Sequence, residues 1–175
     1  MQHTTKVRHM VLMALYTAIS LTLFVAEAQI PFTPMIPGIK LGLSNIMTLI
    51  IITRYTKKDA LTVMIIKIIL GSLFSGQIMG LIYSLAGGVL CFSAMSISSW
   101  ALRKNYLWFT SILGAVFHNT GQILAAAAVF RSWSVIYYYP FLIISAVITG
   151  LATGITASCI LKRLKKPDEC AASDQ

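Results

Sequence analysis

Apolar residues run along this chain in long stretches separated by short polar junctions, and six stretches read as membrane helices: roughly 10–28, 39–54, 58–75, 78–100, 105–130 and 136–161. The junctions alternate in charge. Eleven of the fourteen Lys and Arg residues fall at every second one, as Lys6 and Arg8, then Arg54, Lys57 and Lys58, then Arg103 and Lys104, then Lys162, Arg163, Lys165 and Lys166. Cytoplasmic loops carry the excess of Lys and Arg, so the pattern predicts an all-α, polytopic membrane protein with six transmembrane helices and both termini in the cytoplasm. Trp100, Tyr106 and Trp108 are placed to anchor one interface, and Trp133, Tyr137, Tyr138 and Tyr139 the other.

Composition supports this class. A 175-residue chain that is 57% apolar and 11% charged, with a mean hydropathy of +0.80, is too apolar for a water-soluble domain. It reads as a single multi-pass domain of the cell membrane over residues 1–164, followed by a short, disordered cytoplasmic tail over 165–175. The net charge of +9 is topological, set against anionic inner-leaflet lipid, and no basic run is interleaved with aromatics as nucleic-acid binding would require. Lys6 and Arg8 ahead of an apolar run ending Ala26-Glu27-Ala28 also resemble a secretory leader. The length of that run favours a retained helix.

Ionisable groups inside a bilayer are costly enough to need a reason, and three cations escape the topological pattern: Lys40, Lys67 and Arg131. Lys67 lies nine residues beyond Lys58, about 13 Å into the hydrocarbon, too deep to snorkel easily. It either pairs with Glu27 as a structural ion pair or belongs to a ligand cavity, and the two roles are compatible. In the fifth stretch His118, Asn119 and Gln122 share one helix side by their i,i+3 and i,i+4 spacing, beside a helix-loosening Gly121. The second stretch opens Pro37-Gly38-Ile39-Lys40-Leu41-Gly42-Leu43-Ser44-Asn45, whose polar strip continues to Thr48. With Arg131 and a protonated His118, these groups would set several cations against one carboxylate, a site for an anion.

Other features concern covering and packing. Prolines at every third position from Pro31 to Pro37 predict a stiff, lid-like connection. Ala146, Gly150, Gly154 and Ser158 form a small-residue stripe suited to close helix packing within the chain, and Ala14 and Ala18 share that spacing on the first helix. Catalysis is not supported. The five acids, Glu27, Asp59, Asp168, Glu169 and Asp174, form no paired cluster to hold Mg²⁺ against a diphosphate, and no phosphate-binding Gly-rich loop, nucleophile constellation or metal-ligand spacing is present. No catalytic residue, metal or cofactor is therefore expected.

On the segment from Pro37 to Asn45, on Lys67 ahead of Leu70-Gly71-Ser72, and on Phe117-His118-Asn119-Thr120-Gly121-Gln122, the chain resembles the Gx transporter family, often labelled heptaprenyl diphosphate synthase component I. The resemblance runs from about residue 8 to residue 164. That family is similar in turn to the substrate-binding S components of energy-coupling factor importers, with six helices, a pocket near the outer face and a lid between the first two helices. The resemblance implies a membrane-embedded capture subunit for a small, anionic and partly apolar compound such as an isoprenoid or quinone precursor. Lys40, Asn45, Lys67, His118, Asn119 and Gln122 would contact that ligand. Ala14 and Ala18 match a docking pattern for a transmembrane scaffold driven by separate ATPases. The alternative it implies is a noncatalytic membrane component of a heptaprenyl diphosphate synthase.

Overall fold

A computed structural model of the chain describes residues 2–29, 40–76, 78–101 and 106–163. The described residues are all-helical, as the apolar pattern predicts. The helices are α1 (Gln2–Ala28), α2 (Asn45–Arg54), α3 (Lys57–Ser75), α4 (Ile78–Ala101), α5 (Leu107–Phe130) and α6 (Tyr139–Arg163), with a 3-10 segment, Trp133–Tyr138, leading into α6. The proline-rich segment Pro31 to Pro37, the cations Arg103 and Lys104, and the tail 165–175 lie outside the described residues.

Four of these helical segments are long and apolar enough to cross a bilayer: Lys6–Ala28, Ile78–Ala101, Leu107–Phe130 and Trp133–Arg163. The other two depart from the simple six-span expectation for different reasons. At 19 residues α3 extends about 28 Å, but it carries Lys57, Lys58, Asp59 and Lys67. The second stretch, expected to be helical from residue 39, becomes helix only at Asn45, so α2 has ten residues and a length of about 15 Å, half the hydrocarbon thickness. Residues 40–44 form an extended segment and a turn, in which Gly42 takes a left-handed φ of 82°. Non-helical backbone survives at such depth only where protein encloses it, and α2 is enclosed: Asn45 to Ile52 are all buried.

Close approach of helix backbones builds the α4–α5–α6 side of the bundle. A Cβ on Gly121 would fall 2.7 Å from the Cα of Gly87, and Cβ atoms on Gly150 and Gly154 would fall 2.7 Å and 2.6 Å from the Cα atoms of Ile112 and Trp108. The small-residue stripe of α6 therefore packs on α5 within the chain. Gly121, expected to loosen its helix, instead sits at a close backbone contact between α4 and α5.

The basic end of the bundle is tied together by local polar chemistry. Thr56 and Asp59 form a reciprocal capping box at the start of α3, satisfying amides that the first helical turn leaves free. His9 Nε2 reaches the same Asp59 carboxylate at 3.3 Å, joining α1 to α3. Arg54 donates to the carbonyl of Leu161 at 2.8 Å and Lys57 to that of Ser96 at 3.1 Å, which adds α6 and α4.

Two outcomes follow from this packing. Gly121→Leu is expected to force α4 from α5 and cost about 1–3 kcal/mol or more, read as a lower thermal unfolding midpoint in detergent. Partial burial raises the Asp59 carboxyl, but its bonds to Thr56 and the neighbouring His9 hold it below its ordinary value. A lowered carboxylate contributes stability that is fully present above its unfolded pKa of about 4 and is lost as pH falls through the folded value. Asp59→Asn is expected to flatten the acid limb of midpoint against pH.

Candidate functional site

Equal depth brings the polar groups of α2 and α3 together. Asn45 lies nine residues before Arg54 and Lys67 ten residues after Lys57, so each sits about 13–15 Å from the basic end, near mid-membrane. Lys67 is 1% exposed, and its ammonium donates to the Ser44 carbonyl at 3.0 Å, to Ser44 Oγ at 3.1 Å and to Asn45 Oδ1 at 3.1 Å. All three of its protons are thus used on one turn of backbone, the condition under which a buried ammonium is tolerable. Ser20 of α1 donates to the same Ser44 carbonyl.

The opposite charge enters from α1. Glu27, in its last turn, is buried and accepts the Gly42 amide at Oε1, while the amides of Leu43 and Ser44 also face the carboxylate. These amides belong to the turn that leads into α2, whose own first amides, Asn45 and Ile46, donate to the Gly42 and Leu43 carbonyls at 3.0 Å and 3.1 Å. A carboxylate from another helix thus holds the turn at the positive end of α2. The left-handed Gly42 makes the arrangement possible, since a Cβ there would lie 2.9 Å from Asn45 Nδ2 and 3.0 Å from the His118 ring. Glu27 and Lys67 therefore hold the same turn through different atoms of it, in place of the direct ion pair that the sequence allowed. Glu27 Oε2 is left without a hydrogen-bond partner.

Lys40 differs from Lys67. Its backbone amide donates to Gln122 Oε1 at 3.3 Å, but its buried ammonium has no hydrogen-bond partner and lies 3.5 Å from the centroid of the Phe24 ring. Phe24 can occupy that position because Gly71 has no side chain; a Cβ there would fall 2.2 Å from the ring. Because Gln122 presents its oxygen to Lys40, its Nε2 must donate to His118 Nε2 at 3.1 Å. That nitrogen is then an acceptor, the ring proton is on Nδ1, and His118 is neutral. The expectation of a protonated His118 is corrected on this ground.

Phe24, Glu27, Lys40, Asn45, Lys67, Ser84 and His118 together line a small cavity with room for about one water-sized group. Of the residues singled out in the sequence, Lys40, Asn45, Lys67 and His118 meet here, and Gln122 stands behind them. Asn119 does not join them. Its Nδ2 donates to the Leu142 carbonyl at 2.8 Å, because the next position round the helix faces α6. Arg131 is also absent: it is exposed and terminates α5 in a left-handed conformation with φ 49°. Phe24, Gly71 and Ser84 were not recognisable beforehand, since in sequence they look like ordinary residues of apolar spans. With His118 neutral, two ammonium groups face one carboxylate, leaving one positive charge in excess. Ala14 and Ala18 lie elsewhere, on the exposed face of α1 among Val7, Val11, Leu15 and Ile19.

The family described as heptaprenyl diphosphate synthase component I matches residues 16–160, a range that contains every residue of this cavity. Comparison with curated proteins and with solved structures found no match.

The two lysines are expected to separate experimentally. Lys67→Met leaves Ser44 and Asn45 without the ammonium that joins them and removes one of the two cations facing Glu27, and should cost about 3 kcal/mol or more. Lys40→Met breaks no side-chain hydrogen bond, losing a contact with an aromatic ring and a longer-range attraction to Glu27, and should cost about 1 kcal/mol or less. Thermal unfolding of the purified variants in one detergent checks the order.

Proposed function

The chain belongs to the heptaprenyl diphosphate synthase component I family, and from that premise we propose that it works as a noncatalytic membrane subunit that holds a small, anionic and partly apolar compound. One observation carries this reading: a buried, unpartnered Lys40 ammonium in a mid-depth chamber with an excess of positive charge. An anion supplies what that chamber lacks. The apolar part of the compound would lie against Phe24 and Ile68. Anything larger than a water-sized group requires movement of the segment carrying Lys40 to Ser44, which is joined to the proline-rich connection.

Chemistry would belong to a partner. Among the described residues the acids are Glu27, buried against the turn before α2, and Asp59, which caps the start of α3, and they form no cluster to hold a metal against a diphosphate leaving group. The family description favours a prenyl diphosphate synthase subunit as that partner. A second reading is a capture subunit of an energy-coupled importer, associated with a transmembrane scaffold and ATPases. The exposure of Ala14 and Ala18 on a face of α1 that only lipid or another protein can cover supports it.

Affinity purification of the tagged chain from membranes distinguishes the two readings. Recovery with a soluble prenyl synthase whose chain elongation depends on this subunit supports the first; recovery with a scaffold protein and ATPases supports the second. In either complex, Lys40→Met is expected to lose at least about tenfold in affinity for the bound compound, identified by native mass spectrometry, while the partners still associate. Unchanged binding would remove the chamber from the mechanism. Ala14→Trp is expected to abolish the importer-type complex without unfolding the subunit, and an unchanged complex would exclude docking through this face.

A further inference from the structure

The most unusual feature of the chamber is that its single acid sits where an external anion would be best held. The turn from Lys40 to Ser44 aims the amides of Gly42, Leu43 and Ser44 at one point, at the positive end of a ten-residue helix in the middle of the membrane. Broken helices in membrane proteins use such ends to receive anionic groups. Here a side chain from another helix fills the place.

We propose that Glu27 is the resident occupant of an exchangeable oxyanion seat, and that the carboxylate or phosphate head of the ligand takes over the amides of Gly42, Leu43 and Ser44 when it binds. The proposal rests on the reading of the chamber as an anion site and adds how the anion is held. Three observations support it. First, Glu27 reaches the seat from another helix and only through its side chain, so the backbone of the turn itself does not close the seat. Secondly, the pairing is incomplete on both sides. Glu27 and Lys40 are each 4% exposed and line one cavity, yet neither Glu27 Oε2 nor the Lys40 ammonium has a hydrogen-bond partner, and the ammonium rests on Phe24 instead. A turn built only to bury a glutamate would join these two. Thirdly, Lys40 and Lys67 against Glu27, with His118 neutral, leave room for one further negative charge, so a singly charged head group balances the chamber with Glu27 still ionised.

Chemical rescue on the full chain in detergent tests this. In chloride buffer Glu27→Ala is expected to unfold at a lower temperature than wild type. Formate at millimolar concentration should restore most of that loss, while the same salt shifts wild type by clearly less. Adding Lys40→Met to Glu27→Ala should weaken the rescue. Absence of rescue, or an equal shift in wild type, overturns the proposal. Should Glu27→Ala not accumulate, Glu27→Gln provides the readout, because a neutral amide holds the seat less firmly. By calorimetry it should bind formate or phosphate about tenfold tighter than wild type, and equal affinity overturns the proposal. Phosphate binding that needs Lys40 but is indifferent to both Glu27 variants would remove the seat and leave the anion chamber standing. If no variant binds any of these anions, both the seat and the chamber reading fail.

Discussion

A helix that begins in the middle of a bilayer must have its first amides satisfied by protein, because no water is there to do it. In this chain the first amides of α2 turn back onto the Gly42 and Leu43 carbonyls, and two ions hold that turn: Glu27 accepts the Gly42 amide, and Lys67 donates to the carbonyl, hydroxyl and carboxamide of Ser44 and Asn45. Each charge is costly alone at that depth. Together, on opposite polar atoms of one turn, they make a non-helical entry to the membrane interior stable enough to persist.

The rest of the site follows from that turn. Because residues 40–44 are not helical, Lys40 is carried into the bundle with its backbone fixed by Gln122 and its ammonium free over Phe24. Gln122, held by Lys40, orients His118 and keeps it neutral. Gly71 admits Phe24, and Gly87 admits His118 and Gln122. The glycines matter here as sites of contact, whereas Gly42 alone among the chamber residues matters for its backbone angle. The family description, a component I, implies a partner subunit.

Much of this architecture was legible in the apolar pattern, since alternating basic junctions and apolar stretches locate helices well. The second stretch was not, because Ile39, Leu41 and Leu43 keep it apolar on average while Gly42 and a distant carboxylate decide its backbone. Depth arguments singled out Lys67 correctly as a residue needing partners, but its partners are on α2, 22 and 23 residues away, and spacing along one helix cannot reveal them. Asn119 shows the limit of helical periodicity from the other side. It shares a helix side with His118 and Gln122 by spacing, yet one helix step turns it to Leu142 on α6. Phe24 carries the Lys40 contact with no sequence signal at all, since only the absence of a side chain at Gly71 creates its place.

The central claim is that the mid-membrane start of α2 and the Lys40 ammonium form a place for a negative ion. Crystals of the protein grown in bromide would address it directly through anomalous scattering. The account predicts a bromide peak inside the chamber, between the Lys40 ammonium and the amides of residues 42–44. Bromide confined to the basic end near Arg54, Lys57 and Arg163, with none in the chamber, would contradict it.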